Sequence, residues 1–346
     1  MIKQLSNTFS RPFLAGTVVV ALLASQHAEA ADLVVTAFGG VWEKTLKECV
    51  VAPFEKKTGK TVDVVLSTPG QALNQIAASP GKPPIDVAFL PPDNAVEAAR
   101  RGLVERFDMK KVPQLSDVPV QFQDSDRNYV ALNYGAMGVL YNSKRISVPP
   151  ATWKEFVDGT IAGKWRASIP GMNYSGGPYV LWLMATQYGG SLQDISPGLA
   201  QIKRMVASGN LDLWSDPNQV LNALKSGDVD VAMYWDGRSW AFIDGGNKDF
   251  KYYTPQPGGV AAMTSIHKVK GSPDAAWDLI DFALTAESQS CFANRTRYGG
   301  TNPGVAYDAK IKPQITDLSL LLVPQYKQFP QFQSQWVEAW NKEVKR

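Results

Sequence analysis

The fold of this chain is decided by the stretch Ser226-Gly-Asp-Val-Asp-Val-Ala-Met-Tyr-Trp-Asp-Gly-Arg-Ser-Trp240. After the Ser-Gly break, Asp228 to Met233 is rich in β-branched and small apolar residues, which is typical of a buried parallel strand. The carboxyl tip of that strand carries Tyr234, Trp235, Asp236, Gly237 and Arg238. Because ligands of open α/β sheets bind beyond the carboxyl ends of the strands, we expect a ligand site here. Two structural alternatives stay open: both aromatics could pack in the core, and Asp236 and Arg238 could form a local ion pair.

The amino-terminal segment, residues 1–30, has the pattern of a secretory signal peptide. Lys3 and Arg11 make its start basic, an apolar run covers residues 15–24, and small residues lead to an exit at Ala30. The apolar run is too short for a membrane span, and no cysteine follows it to carry a lipid. We therefore predict a periplasmic protein that is secreted through a cleaved signal peptide.

Composition limits the classes of partner. The 346 residues include 35 Lys and Arg against 32 Asp and Glu, a formal net charge of +3, which argues against nucleic acid or an anionic membrane as partner. The length exceeds one comfortable hydrophobic core and indicates two lobes. Cys49 and Cys291 would meet an oxidising compartment, but their distance cannot be read from the sequence. A disulfide and two separately buried thiols both stay open.

The first part of the mature chain alternates strands and helices. Strands are predicted at 32–36, 61–66 and 85–90, and helices at 41–57, at 71–78 and after Pro91. This alternation predicts a mainly parallel sheet with helices on its faces. Trp42 follows the first strand and Asp93 the third, so both belong to the carboxyl edge of the sheet.

The second part predicts a further α/β lobe. Residues 128–142 are extended and glycine-punctuated, and we interpret them as a crossover strand. A strand at 165–169 and helices near 152–157, 178–188, 196–208 and 217–225 follow, and 258–265 with the helix 273–285 returns to the first lobe. We predict lobe 1 as 31–135 plus 238–303 and lobe 2 as 136–237 plus 304–346, the latter ending in a helix at 333–345.

The segment Asn173-Tyr-Ser-Gly-Gly-Pro-Tyr179 suits an anion. Pro178 fits the first helical turn and Ser175 or Gly177 the cap, while the glycines leave backbone N–H groups uncovered. A helix start with bare amides attracts a carboxylate, phosphate or phosphonate. We name Tyr174, Ser175, Gly176 and Gly177 as candidate ligand contacts, with ordinary capping as the alternative.

Several motifs together resemble the extracellular solute-binding proteins of ABC importers, especially the spermidine/putrescine-binding branch. They are the leader, Pro53-Phe-Glu-Lys-Lys-Thr-Gly59, the Gly227 to Gly237 strand, Gly258-Gly259, and Tyr298-Gly-Gly-Thr-Asn-Pro303. The resemblance implies the type II periplasmic binding protein fold, in which two α/β lobes joined by crossover strands clamp a small-molecule solute. It also implies a membrane permease as partner, no catalysis and no cofactor, and we expect a monomer.

The resemblance places aromatic ligand contacts at Trp42, Trp235 and Tyr298. It also shows two departures from the polyamine receptors: Ala262 and Thr264 stand where those proteins have a tryptophan and an amine-binding aspartate. The acid-rich helix start of the polyamine receptors is replaced here by residues 173–177. Two of the anionic anchors that a polycation needs are therefore absent.

The charge balance favours an acidic guest. A buried ammonium without a partner costs several kcal/mol, whereas Arg238 can hold a carboxylate or phosphonate bidentately. We expect an anionic or zwitterionic, amino-acid-like solute whose acid group contacts Arg238, with any amine near Asp93 or Asp236. Lobe closure about residues 134–138 and Gly237 would bury the solute.

Alternative functions are a polyamine-binding protein, a ferric-iron receptor and a secreted hydrolase. Tyr252 and Tyr253 are adjacent, so in a strand they would point to opposite faces and make a poor iron pair. The sequence lacks the residues that a histidine-based triad or a zinc site of a hydrolase needs. His267 is the one histidine after the leader, and neither a nucleophile elbow nor a zinc motif occurs. We expect His267 at the surface.

Overall fold

The structure is a computed structural model that describes Met1 and residues 30–344. The predicted signal peptide and its apolar run lie almost wholly outside the described residues. From Ala31 onward the chain packs as one unit. The lobe boundaries, including the assignment of 1–30 to a leader, therefore stay predictions.

Eleven strands make one sheet within the described chain. Their bounds are β1 (Leu33–Ala37), β2 (Val62–Leu66), β3 (Val87–Leu90), β4 (Val130–Asn142), β5 (Ala167–Pro170), β6 (Leu211–Trp214), β7 (Val231–Trp235), β8 (Phe250–Tyr253), β9 (Gly259–Lys268), β10 (Gly299–Gly300) and β11 (Leu321–Leu322).

Helices cover the faces of this sheet. Their bounds are α1 (Gly40–Leu46), α2 (Ala52–Thr58), α3 (Pro69–Ala78), α4 (Pro92–Arg100), α5 (Trp153–Ile161), α6 (Gly177–Gln187), α7 (Ser196–Ala207), α8 (Pro217–Ser226), α9 (Asp236–Asp244), α10 (Ala275–Ala283), α11 (Ala286–Thr296) and α12 (Phe329–Glu343). A π-helical turn, Lys47–Val51, connects α1 to α2. No helix within residues 30–344 is long and apolar enough to cross a membrane.

The strand order is β2-β1-β3-β9-β4-β7-β5-β6. The pairs β1/β2, β1/β3, β5/β6 and β5/β7 are parallel, whereas the pairs β3/β9, β9/β4 and β4/β7 are antiparallel. We call β1–β3 the first half of the sheet and β5–β7 the second half. The predicted α/β fold with mainly parallel sheets is confirmed.

Two long strands join the halves. Residues Val130 to Met137 of β4 pair with β9, and Met137 to Tyr141 of the same strand pair with β7. Strand β9 in turn pairs with β4 and, through Ser265 to Lys268, with β3. The connection therefore runs through β4 and β9. Gly237 lies in the first turn of α9 rather than in a connecting strand.

Each half has its own apolar core. The first is built around Trp42, Phe54 and Trp277, and the second around Trp153 and Trp336. The Trp153 side chain is fully buried, and its indole N–H donates to the carbonyl of Gly258 at 2.7 Å. That bond ties a helix of the second half to the start of β9.

His267 corrects a prediction from the sequence. We expected a surface residue, but His267 is fully buried in β9, with Nε2 2.8 Å from the Ser265 hydroxyl and Nδ1 3.2 Å from the Asn128 carbonyl. Burial lowers the pKa of its imidazole to about 3. The error arose because the sequence analysis ended this strand at residue 265, whereas β9 continues to Lys268 and pairs with β3 at His267.

The cysteine question is answered by a disulfide between Cys49 and Cys291. It joins the π-helical turn to α11 across 242 residues of sequence, with the Cα atoms 5.6 Å apart. Closing so long a loop restricts the unfolded chain strongly in the entropy model. The bond therefore constrains two segments that are far apart in the sequence.

Replacing Cys49 and Cys291 together with alanine is expected to lower the free energy of unfolding by about 2–5 kcal/mol. Chemical denaturation of the variant and of the wild type, with and without reductant, measures this. The reduced wild type should match the variant. Equal stability of the oxidised and reduced wild type would contradict the assignment.

Candidate functional site

A cavity of about 700 Å³ opens between the two halves of the sheet. Its walls come from the segments that follow β1, β2 and β3 on one side and β5, β6 and β7 on the other, and its floor comes from β4 and β9. Six carboxyl strand ends thus meet at one place, as ligand sites of α/β sheets require. Most of the residues singled out from the sequence line it: Trp42, Asp93, Tyr174, Ser175, Trp235, Arg238, Thr264 and Tyr298.

Three of the residues singled out do not line the cavity. Gly176 and Gly177 lie at the start of α6, behind Tyr174 and Ser175, and the Gly177 amide already donates to the Tyr174 carbonyl at 2.9 Å. Asp236 is fully buried beneath the wall and is satisfied by protein donors. The bare amides expected at the α6 start are thus partly used by the turn itself.

The wall of the first half is aromatic. Trp42 is buried against Phe38 and Phe89, each with ring centroids 4.9 Å away, and against Phe292 at 5.3 Å. Its indole nitrogen has no hydrogen-bond partner among the described residues. A rigid aromatic surface suits the carbon chain of a solute.

The opposite wall is also aromatic and is fixed by a hydrogen bond. The Trp235 indole N–H donates to the Tyr174 hydroxyl at 3.1 Å, and the Tyr174 ring packs against Trp214 at 4.6 Å. Trp235 is the last residue of β7, and its position at the strand end brings it to the cavity wall. Tyr174 comes from the segment after β5.

Arg238 supplies a positive charge to the lining. Its partly exposed guanidinium lies near the hydroxyls of Tyr298, Tyr234 and Tyr174. No carboxylate oxygen of the described chain lies within 4.0 Å of it. The alternative of a local pair with Asp236 therefore fails, and the charge is available to a solute.

Asp93 lies on the wall of the first half and is bound from the other side. The Tyr179 hydroxyl, carried by α6, donates to its Oδ1 at 2.5 Å, and the carboxyl is only 6% exposed. Burial raises the pKa of Asp93, against the lowering effect of that hydrogen bond. The contact links the two halves across the cavity.

Asp216 was missed from the sequence. It lines the cavity as the N-cap of α8, where its Oδ1 accepts the Asn218 amide at 2.7 Å. Strand β6 was not predicted, because Leu211–Trp214 is short and its polar Asp212 interrupts the apolar run. An Asp-Pro pair is a typical helix start, and it would have indicated a sixth strand tip.

The floor holds a second residue that the sequence did not reveal. Asn133 of β4 is the register partner of Thr264 of β9, and both line the cavity. Asn133 is 2% exposed, and its amide nitrogen has no partner within the described residues. A buried donor left unpaired costs about 1–3 kcal/mol, so a solute acceptor would relieve that cost.

Tyr252 and Tyr253, the two residues considered as iron ligands, form hydrogen bonds with backbone carbonyls. The Tyr252 hydroxyl donates to the Ala136 carbonyl at 3.0 Å, and the Tyr253 hydroxyl donates to the Pro150 carbonyl. Within residues 30–344, no cluster of three His, Cys, Asp or Glu side chains could hold a metal ion. The described site offers charge and aromatic surface rather than a ligand set for a metal.

Comparison with known proteins gives consistent matches. A family model described as bacterial extracellular solute-binding protein matches residues 50–317. The putrescine/cadaverine-binding protein of Pseudomonas aeruginosa is 26% identical over 300 residues, which cover 81% of this chain and 82% of that protein. A periplasmic protein of Salmonella typhimurium, named for 2-aminoethylphosphonate binding, is 24% identical over 251 residues, 68% of each chain.

A solved structure shows the same architecture. It is described as an extracellular solute-binding protein from Bordetella parapertussis, 27% identical, with a TM-score of 0.77 over 90% of this chain and 98% of that chain. The similarity in fold therefore extends over both halves of the sheet.

Replacing Tyr179 with phenylalanine should destabilise the protein in a pH-dependent way. In the wild type, burial raises the folded pKa of Asp93 above 3.8, while the hydrogen bond from Tyr179 favours the charged carboxylate and lowers that pKa. The variant lacks this bond, so the folded pKa of Asp93 should rise further. The unfolding free energy of the variant should therefore continue to fall with rising pH after that of the wild type has levelled off, with a loss of about 1.5–3 kcal/mol once Asp93 is charged in both proteins.

Denaturation midpoints at several pH values between 4 and 8.5 measure this effect. Tyr326→Phe is the matched control, because its hydroxyl donates to the neutral Ala261 carbonyl at 2.8 Å and its loss should vary little with pH. A Tyr179→Phe loss that is constant across that range would contradict the assignment.

Proposed function

Since this chain belongs to the family of bacterial extracellular solute-binding proteins, we propose that its solute is small and anionic or zwitterionic, an amino-acid-like compound with a carboxylate or phosphonate. The family predicted from the sequence is confirmed. Its members are solute-binding receptors outside the cytoplasm that serve ABC importers, and relatives are named for binding polyamines or a phosphonate. The identity of this chain's solute is the part that we propose.

The observation that carries the proposal is the unpaired guanidinium of Arg238 in the cavity wall. A partly buried charge without a carboxylate partner favours a guest of opposite sign, and a carboxylate or phosphonate can accept two parallel hydrogen bonds from it. The free amide donor of Asn133 and the hydroxyl of Thr264 add capacity for acid oxygens at the floor. The lining thus offers several donors to an acid group.

Carboxylates in other walls favour a zwitterion over a simple anion. Asp93 follows β3 in the first half of the sheet, and Asp216 follows β6 in the second half. An ammonium group of the solute would pair with either, and the faces of Trp42 and Trp235 would attract it through cation–π contact. We therefore propose Asp93, which the sequence analysis also named, and Asp216 as partners of the amine, the latter instead of the buried Asp236.

The polyamine alternative has one observation in its favour. Two carboxylates line the cavity, and one relative is named for putrescine and cadaverine binding. A linear diamine, however, would leave Arg238 unpaired beside a second cation. That arrangement is unfavourable because Arg238 would lack an anionic partner and would repel the ammonium groups of the diamine. We therefore rank a diamine second.

The mechanism that we propose is capture by lobe closure and delivery to an inner-membrane permease. Strands β4 and β9 would flex, and closure would bury the solute and create the form that the permease recognises. The chain would perform no chemistry, need no cofactor and no nucleic acid, and act in the periplasm as a monomer after loss of residues 1–30. These points extend what is known of the family to this chain.

A binding screen tests the proposal. The mature protein is mixed with γ-aminobutyrate, glutamate, 2-aminoethylphosphonate, putrescine, spermidine and ferric citrate, and thermal shift is followed by calorimetric titration. We expect an acid-bearing zwitterion to bind, and Arg238→Ala to weaken it at least about thirtyfold. Arg166→Ala removes an exposed guanidinium outside the cavity and should leave affinity unchanged.

Tight binding of putrescine or spermidine that is unaffected by Arg238→Ala would favour the runner-up and overturn the choice of an acidic solute. Stabilisation by ferric citrate alone would contradict both.

Asn133→Leu should separate binding from stability. Leucine has a similar volume but removes the unpaired donor, so the unliganded protein should be as stable as the wild type or more stable. Affinity for the acidic solute should fall about fivefold to thirtyfold, because one hydrogen bond is lost. Titration and thermal unfolding of the same variant measure both effects, and unchanged affinity would exclude Asn133 from the site.

A further inference from the structure

Asp236 holds three parts of the chain together beside the cavity. Its Oδ2 accepts the Ala136 amide of β4 at 2.8 Å and the Thr316 hydroxyl at 2.5 Å, and its Oδ1 accepts the Gly237 amide at 2.7 Å. The carboxyl is fully buried. One side chain thus connects the strand that joins the two halves, the first turn of α9, and the segment before β11.

Two glycines make room for this arrangement. A Cβ atom on Gly135 would collide with the Asp236 carboxylate, and one on Gly237 would lie 2.8 Å from the ring of Tyr298. The start of α9 is therefore clamped between β4 and the segment after α11. Arg238 is the next residue of that turn, so the clamp sets where its guanidinium meets the cavity.

The ionisable groups that face Asp236 are tyrosines. Tyr134 comes from β4, Tyr252 from β8 and Tyr298 from the segment after α11, and burial raises the pKa of each phenol. Arg238 is the charged residue of its own turn, with no ion pair to it in the described chain. All these neighbours keep one protonation state near neutrality.

Asp236 itself differs from them. Burial raises the pKa of this carboxyl from 3.8 to about 7, against the lowering effect of its hydrogen bonds from Thr316, Ala136 and Gly237. A change of its charge therefore falls within the range of pH that an exported protein can meet.

We propose that Asp236 is a positioning residue that fixes Arg238 against β4, and that its proton links the affinity for an acidic solute to pH. This inference rests on the proposed function. An acid group on Arg238 is repelled by the Asp236 carboxylate and tolerated by the neutral acid. Solute binding therefore favours the protonated form, and affinity falls as pH rises through about 7.

The test compares wild type, Asp236→Asn and Thr316→Val by calorimetric titration of γ-aminobutyrate and 2-aminoethylphosphonate from pH 5.5 to 8.5. The ratio of wild-type to Asp236→Asn dissociation constants cancels the titration of the probe itself. We expect a ratio near one at pH 5.5 and about three- to tenfold weaker binding by the wild type at pH 8.5.

Thr316→Val is the matched variant that keeps the carboxyl. It removes a hydrogen bond to the charged form, so the midpoint of the pH dependence should move upward while its amplitude stays. A purely structural role of Asp236 would not move that midpoint.

Stability provides an arm that does not depend on a solute. The folded pKa of Asp236 is raised, so the folded state binds more protons than the unfolded state between about pH 4 and pH 7. The unfolding free energy of the wild type should thus fall with rising pH relative to Asp236→Asn across this window.

Each outcome decides a different point. If both probes bind through Arg238 but the ratio is flat, or the stability difference does not vary with pH, this inference is wrong and the proposed function stands. If the wild type binds neither probe nor any other acidic solute of the screen, both the inference and the proposed function are overturned.

Discussion

The structure depends on the antiparallel pairing of β4 with β9. Each of these strands pairs with a different further strand, β4 with β7 and β9 with β3, so the pairing is the connection between two parallel arrangements. The constraint places both sets of carboxyl strand ends around one cavity. It also puts residues of the connecting strands, such as Asn133 and Thr264, on the cavity floor, where a solute can contact the strands that join the two halves.

Asp236 and Arg238 lie in the same turn of α9, and their different burial gives them different roles. Asp236 is fully buried and receives three protein hydrogen bonds, so its lone pairs are occupied by the chain. Arg238 is partly exposed to the cavity and has no ion pair within the described residues. A buried polar group whose hydrogen bonds are all made within the protein stabilises one arrangement of the chain. A polar group without such partners can bind a ligand. The same turn thus holds a structural anchor and a recognition group.

Much of the fold could be predicted from the sequence because strong periodicity marked it. The strand ending in Trp235, the extended run that became β4 and the helix after Pro91 all follow from apolar spacing and from glycine and proline positions. Helices α9 and α11 and strand β6 were missed, since α9 starts directly at the strand tip and the others have weak apolar faces. The bond between Cys49 and Cys291 could not be predicted, because it depends on the distance between two helices.

The site was predictable where a residue follows a recognised strand, as with Trp42, Asp93 and Arg238. It was not predictable where contact depends on packing: Asp236 turned inward, and Asn133 and Asp216 turned toward the cavity. A crystal structure of the protein with its captured solute shows directly which group of the solute contacts Arg238. We predict acid oxygens within hydrogen-bond distance of the Arg238 guanidinium. A solute whose amines lie on Asp93 and Asp216, with Arg238 left unpaired, would contradict it.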